Sequence, residues 1–485
     1  MTFNTYLFIF AFLPACFLLY FACNHLKKYT LANISLIIMS SLFYLYGSIY
    51  SMLVVWASIV VNYAILQWMK RSKAPKAILI VGIVLNCMGL LSLKYCNFFI
   101  DNVNGIFHSD FNLLKLILPL GISYYTFQQI AYLVDNYRGE VPEYSFIEYS
   151  LFILFFPKAI AGPILFHSDI MPQFQEENRR KINADNVAKG LYAISVGMAK
   201  KVLLADTFGK FVDFYYGDIA SMNSTLAILA MIGYTIQIYF DFSGYCDMAT
   251  GICLLFNIEI PTNFNSPYKS YSVIEFWDRW HITLTRFFTK YVYIPLGGSR
   301  RGTVRTYVNT LIVFLVSGLW HGAEWSFVLW GLMHGIMLIL NKMFRQKIET
   351  WNKVFSWFIT FGFVNVAWIF FRANDLSQAM QVIKQIAQCN FGDIGSSIAQ
   401  IFALPEVMEV FNVLHLSEWM TIKLPYFMVC SFFILALVVI LNGKNVIEQV
   451  AEFKPTVRKS IFTAILMVWS ILSFTGVGTF LYSGF

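Results

Sequence analysis

The chain has 485 residues, of which 58% are hydrophobic and only 13% charged. Soluble domains carry about a quarter charged residues, so a water-soluble core could not hide this much apolar surface, whereas a bilayer covers it. The net charge of +8 arises from short Lys and Arg clusters between apolar runs, which excludes a nucleic-acid surface and matches the positive-inside bias of membrane proteins.

A crossing helix needs about 20 apolar residues. In chain order the candidates are Thr5–Phe21, Leu31–Tyr46, Ile49–Trp68, Ala77–Leu93, Leu116–Val134, Leu191–Ala205 and Leu226–Phe242. Thr306–Leu319, Trp325–Leu340, Val354–Phe371, Tyr426–Leu441 and Ile461–Leu481 follow. The first run lacks a basic leader and a small-residue cleavage site, so it reads as a retained helix. Phe146–Leu165 is apolar but interrupted by Pro157 and by Gly162-Pro163, which predicts a bent or re-entrant segment. The expected fold class is an all-α polytopic membrane protein, with about 11–13 transmembrane or re-entrant helices plus amphipathic interfacial helices. The 8 Cys residues are scattered, without a CxxC pair or ligand spacing, so neither a disulfide framework nor a metal site is expected.

Basic clusters set an expected orientation. Lys27 and Lys28, Lys70 to Lys76, Arg300 to Arg305, Lys342 to Lys347 and Lys444 to Lys459 would be cytoplasmic. The polar stretch at about 372–420 would then lie outside, with Leu376, Met380, Ile383 and Ile386 at helical spacing. It reads as short amphipathic helices, either a cap over the spans or a docking surface.

Asp241 to His334 holds the densest group of unusual residues. F-D-F-S-G-Y-C-D, from Phe240, places Asp241 and Asp247 at the end of an apolar run. Carboxylates there need partners or water. N-F-N-S-P-Y, from Asn263, is a polar turn. Glu275 to Lys290 reads as one amphipathic helix, with Trp277, Trp280, His281, Leu284 and Phe287 on its apolar face. A histidine there is either a satisfied packing residue or a functional one. Y-I-P-L-G-G-S-R-R, from Tyr293, sets two glycines beside Arg300 and Arg301 and could cradle phosphate or simply turn. S-G-L-W-H-G-A-E-W, from Ser317, places His321 at the far end of a helix from the arginines. An ionisable group there is a functional candidate; His334 reads as helix packing.

These strings together resemble the membrane-bound O-acyltransferases, and within them the alginate O-acetyltransferase type. P-K-A-I-A-G-P from Pro157 and W-I-F-F-R-A from Trp368 look like the same branch. The resemblance implies transfer of an acyl group from a cytoplasmic thioester, usually acetyl-CoA, through a bacterial cytoplasmic (inner) membrane. The acceptor would be an exported surface polysaccharide. An extracytoplasmic SGNH-type acetyltransferase or esterase-like partner would complete the transfer. No bound cofactor is expected, and acetyl-CoA would be a substrate. The family's catalytic histidine matches His321, and its second histidine matches His281. Arg300 and Arg301 could hold coenzyme A phosphates, while Trp320, Asp241 and Asn265 could shape the site. Residues 1–145 would be N-terminal spans, 146–345 the acyltransferase core, and 346–485 the C-terminal spans with the outer insertion. Thr283 and Thr285 stand where relatives carry serine, and Lys290 stands where they carry an acidic residue. D-alanyl transfer to teichoic acid and transport of a polysaccharide precursor are the competing readings.

Overall fold

The computed structural model describes residues 1–414, 418–474 and 480–481. Among the described residues it is built of helices, without a strand, and 9 helices are long and apolar enough to cross a membrane. The protein is therefore a multi-pass α-helical membrane protein.

Four antiparallel spans open the chain: α1 (Phe8–His25), α2 (Tyr29–Gly47), α3 (Ile49–Arg71) and α4 (Pro75–Lys94). They face lipid on much of their surface and join one another through a few buried polar contacts. Asn62 on α3 and Asn86 on α4 exchange side-chain hydrogen bonds of 3.2 and 2.6 Å. Such pairs hold helices together where lipid competes for apolar contact.

After the short α5 (Cys96–Phe107), the expected span Leu116–Val134 departs from prediction. Helix begins only at Ile122, giving α6 (Ile122–Tyr137). Gly121, in a left-handed conformation (φ +70), starts it, and a Cβ there would lie 2.2 Å from the Ala159 carbonyl oxygen. The interrupted segment behaves as its prolines predict. Helix α7 (Phe146–Leu154) stops, a single 3-10 turn spans Phe156–Lys158, and the chain runs irregularly to α8 (His167–Gln175). This irregular backbone is buried by protein, as membrane-depth loops must be.

Helix α9 (Ala184–Ala199) continues through a π-helical turn (Lys200–Ala205) into α10 (Asp206–Gly217). Against it lies α11 (Ser224–Leu255), whose 32 residues extend about 48 Å at 1.5 Å per residue. Two glycine pairs let the backbones touch. A Cβ on Gly251 would sit 2.5 Å from the Gly190 carbonyl oxygen, and one on Gly197 would sit 2.6 Å from that of Gly244. Asp241 and Asp247 thus lie inside a long helix rather than at the end of a run, as the sequence suggests. Their partners come from the π turn: Lys200 pairs with Asp247 at 2.6 Å, and Lys201 with Asp241 at 2.5 Å.

The stretch expected as one amphipathic helix is two, α12 (Val273–Arg279) and α13 (Ile282–Phe288). The hairpin α14 (Thr303–His321) and α15 (Trp325–Met343) follows, then the short α16 (Arg345–Glu349) and α17 (Lys353–Arg372). The insertion forms α18 (Leu376–Ala387), α19 (Ser396–Ile401) and α20 (Pro405–Val413). Its inner face is not quite the expected one. Ala379 and Val382 are buried, while Met380 is 55% exposed. Gln385 ties α18 to the α10–α11 connection through the Ile219 and Met222 carbonyls. Helix α21 (Glu418–Asn442), α22 (Val446–Ala451) and α23 (Val457–Leu472) end the bundle. The expected span Ile461–Leu481 is helical to Leu472, and residues 475–479 of it lie outside the described residues, as do 415–417 of the insertion.

Candidate active site

Antiparallel spans and one contact fix which residues share an end of the molecule. Lys94 ends α4 and His321 ends α14, and the Lys94 ammonium reaches the His321 carbonyl at 3.1 Å. Arg372, at the end of α17, lines one cleft with Lys94 and with Gly322, the residue after His321. Lys27, Lys73, Arg300, Arg301, Arg305, Lys347 and Lys353 are at the opposite end of the same helices. His321 is separated from Gly302 by the 19 residues of α14, about 28 Å at 1.5 Å per residue.

The cleft has a volume of about 600 Å³. Lys94, Asn97, Asp213, Tyr234, Glu324, Arg372 and Leu481 are among its walls, and Gly322, Phe327 and Phe371 close its floor. Arg372 pairs with Asp213 at 2.6 Å. Burial raises the Glu324 carboxyl above its ordinary value, and the neighbouring Asp101 and Asp375 carboxylates add to this.

Behind the floor lies a group of rings. His321 touches Phe371 at 5.1 Å and Trp330 at 5.1 Å between centroids. Trp320 packs against both histidines, 4.8 Å from the His321 ring and 6.2 Å from the His281 ring. Sequence-distant elements thus bring His281, Trp320 and His321 together. His334 joins the same layer through Trp330 at 4.9 Å, and accepts a 3.1 Å hydrogen bond from Trp277 Nε1.

His281 occupies the break between α12 and α13, with φ +46 and ψ 50. A left-handed non-glycine residue costs about 1–3 kcal/mol unless its surroundings hold it. Asn263 does the holding. Its backbone carbonyl accepts from Ile282 N at 3.0 Å, and its side-chain Oδ1 meets His281 Nδ1 at 3.0 Å. The same Oδ1 accepts from Thr283 N at 3.3 Å and Thr283 Oγ1 at 2.9 Å. A backbone N–H can only donate, so this atom is the amide oxygen. His281 Nδ1 is therefore the donor, which puts the lone pair of the neutral ring on Nε2. Asn263 escaped the sequence reading, which favoured Asn265. Asn265 instead ties the basic end together, accepting from Asn445 Nδ2 at 3.0 Å and bonding Arg279 through its backbone.

Asp241 lies one residue from Phe242, whose ring is 4.8 Å from that of His281. Its carboxylate is occupied by Lys201 and by the Leu481 amide at 2.9 Å. Arg300 and Arg301 sit at the basic end, in a turn that Asn309 clamps by donating to the Leu296 and Gly298 carbonyls.

Residues 136–377 match the family model of the membrane-bound O-acyltransferases. The chain is 43% identical over 422 residues to a peptidoglycan O-acetyltransferase of Helicobacter pylori, covering 80% of each chain. This chain belongs to the membrane-bound O-acyltransferase family. It is an acyltransferase. It is also 37% identical over 410 residues to a Pseudomonas aeruginosa protein named "Probable alginate O-acetylase AlgI", covering 81% of this chain and 75% of that one. Similarity to a teichoic acid D-alanyltransferase of Streptococcus thermophilus is lower, 29% over 300 residues and 54% of this chain. The matched region of this O-acyltransferase contains Asn263, His281, Trp320 and His321.

Proposed function

We propose that this O-acyltransferase moves an acetyl group from acetyl-CoA, entering at the basic end, to a hydroxyl of a cell-surface glycan served from the cleft end. The observation that carries the reading is the packing of both His281 and His321 on Trp320, with His321 against Phe371, which lines the cleft. In a bacterial cytoplasmic membrane the basic end would be cytoplasmic. Arg300 and Arg301 would hold the coenzyme A phosphates there.

Thioester transfer needs a hydroxyl nucleophile, a base and a route for its proton. The acceptor oxygen attacks the thioester carbonyl, a C–O bond forms and the C–S bond breaks. His321 takes the hydroxyl proton and returns it to the leaving thiolate, which departs as the free thiol. His281, held by Asn263, orients the thioester, and Trp320 packs both imidazoles. Where an SGNH-type acetyltransferase or esterase-like protein docks over the cleft, its own hydroxyl would be this acceptor, and the resulting ester would then pass to the glycan hydroxyl. The greater similarity to O-acetyltransferases than to D-alanyltransferases supports acetyl over D-alanyl, and the peptidoglycan relative makes peptidoglycan the first acceptor to test.

The test uses membranes of a deletion strain carrying the wild-type or the His321→Ala protein at equal abundance. Acetyl-labelled acetyl-CoA is supplied, and ester-linked acetate is measured on purified peptidoglycan and on other surface glycans. Label should reach a glycan only with the wild type. Acetylation that persists in His321→Ala overturns the site, and no transfer from acetyl-CoA overturns the donor.

A further inference from the structure

A helix leaves its last four carbonyls without donors from its own backbone. At the end of α14 these belong to Gly318, Leu319, Trp320 and His321. Gly322 is extended (φ −159, ψ 153), so no left-handed cap closes the helix. Its amide reaches only Gly318, at 3.3 Å. The other three carbonyls are satisfied from α4 and the residue after it. Tyr95 donates its hydroxyl to the Leu319 carbonyl, and the Lys94 ammonium donates to those of Trp320 at 2.6 Å and His321 at 3.1 Å. Two adjacent residues, more than two hundred positions away, thus complete the cap. A cation is also the charge that the negative end of a helix favours.

Rigidity along the rest of α14 comes from elsewhere. A Cβ on Gly318 would lie 2.3 Å from the Phe327 carbonyl oxygen, and one on Gly331 would lie 2.3 Å from that of Phe314. The hairpin with α15 is therefore locked up to Gly318. The turn carrying Trp320 and His321 lies beyond this lock; its side chains pack on Phe127, Trp330 and Phe371, its backbone carbonyls take Lys94 and Tyr95 as donors, and Lys94 lines the cleft with Gly322.

We infer that Lys94, assisted by Tyr95, is a positioning residue for His321. It satisfies the carbonyls of the turn that bears the imidazole, and so fixes that imidazole against the cleft floor. Without the ammonium, cleft water takes over those carbonyls and the turn frays. The inference rests on the proposed role of His321. A catalytic group displaced by about 1 Å loses about 10²-fold in rate, so the expected defect lies in turnover rather than in donor affinity.

The experiment measures kcat and KM for acetyl-labelled acetyl-CoA in membranes, with purified peptidoglycan as the acceptor probe. Wild type, Lys94→Met, Lys94→Arg, Tyr95→Phe and His321→Ala are compared at equal abundance. Melting temperature is measured in detergent. Lys94→Met should lose about 10²-fold in kcat at unchanged KM and melting temperature. Lys94→Arg should recover most of that loss, and Tyr95→Phe should fall between. A Met variant with normal kcat overturns the inference. So does a Met variant whose defect accompanies a lowered melting temperature and is not rescued by Arg. Activity in His321→Ala overturns the reading of His321 itself, whereas an inactive His321→Ala beside a fully active Lys94→Met removes Lys94 alone.

Discussion

Replacing Asn263 by Leu removes, at one stroke, the acceptor of the His281 Nδ1 proton and of two Thr283 donors. His281 would lose both its tautomer and the partner that holds its left-handed backbone. Acetyl transfer should fall by about 10²-fold or more, the scale of a positioned acid–base group, with protein still inserted in the membrane. Undiminished transfer by Asn263→Leu would separate His281 from the chemistry. Thr283 offers a finer probe, because its hydroxyl also accepts from the Ile164 amide at 2.9 Å. Thr283→Ser keeps both bonds and should be close to wild type in melting temperature. Thr283→Val strands buried groups at a cost of about 1–3 kcal/mol and should melt earlier. His321 could be picked out from sequence because an ionisable residue interrupts an apolar hairpin. Asn263 could not, because its role depends on a contact made 18 residues later, across a backbone break. Lys94 gives still less signal, a single lysine just beyond the apolar run Ala77–Leu93.

Between helices, much of the architecture rests on small residues and buried ion pairs. The α9–α11 crossing predicts that Gly244→Ala is destabilising, since its Cβ would approach the Gly197 carbonyl oxygen to 2.8 Å. Overpacking of this kind costs about 1–3 kcal/mol, measurable as a lower melting temperature in detergent, whereas Gly362→Ala, with open space around it, should be neutral. A second element-level contact is sensitive to pH. Lys290 on the turn after α13 donates to Glu140, beyond α6, at 2.8 Å, and this hydrogen bond lowers the Glu140 carboxyl below its ordinary value. A lowered carboxyl stabilises the fold above its unfolded titration range, and that contribution disappears as pH falls through the folded one. Glu140→Gln should therefore melt slightly earlier than wild type at neutral pH, by the small amount expected of a solvent-exposed pair. The two curves should converge in acid; a gap that persists there would refute the assignment. Apolar runs revealed most spans directly. They could not reveal the break at His281, because Trp277, Trp280, Leu284 and Phe287 keep helical spacing across it and neither glycine nor proline marks it.

Across the whole molecule, the helix directions make two ends that differ in charge and openness. Cys389 lies exposed in the insertion, just beyond α18, on the chain that leaves the cleft end at Arg372. With the other cysteines replaced, a membrane-impermeant maleimide should label Cys389 in intact cells. A cysteine placed at Lys73 should react only after the membrane is opened, and the reverse pattern would invert the proposed orientation. The alternation of basic clusters made this polarity readable from sequence; the cleft was not, since its walls come from seven separate parts of the chain. The floor of that cleft carries a further consequence. Phe371 meets Trp330 at 5.2 Å and Trp368 at 5.2 Å, and Trp277 lies 5.7 Å behind Trp330. These rings set a layer of large apolar side chains on the basic-end side of the cleft. A membrane that stores energy as an ion gradient tolerates no standing column of water through its proteins. Under the proposed transfer, such an apolar layer would let a small neutral group be exchanged between the two faces while opposing the passage of protons and ions.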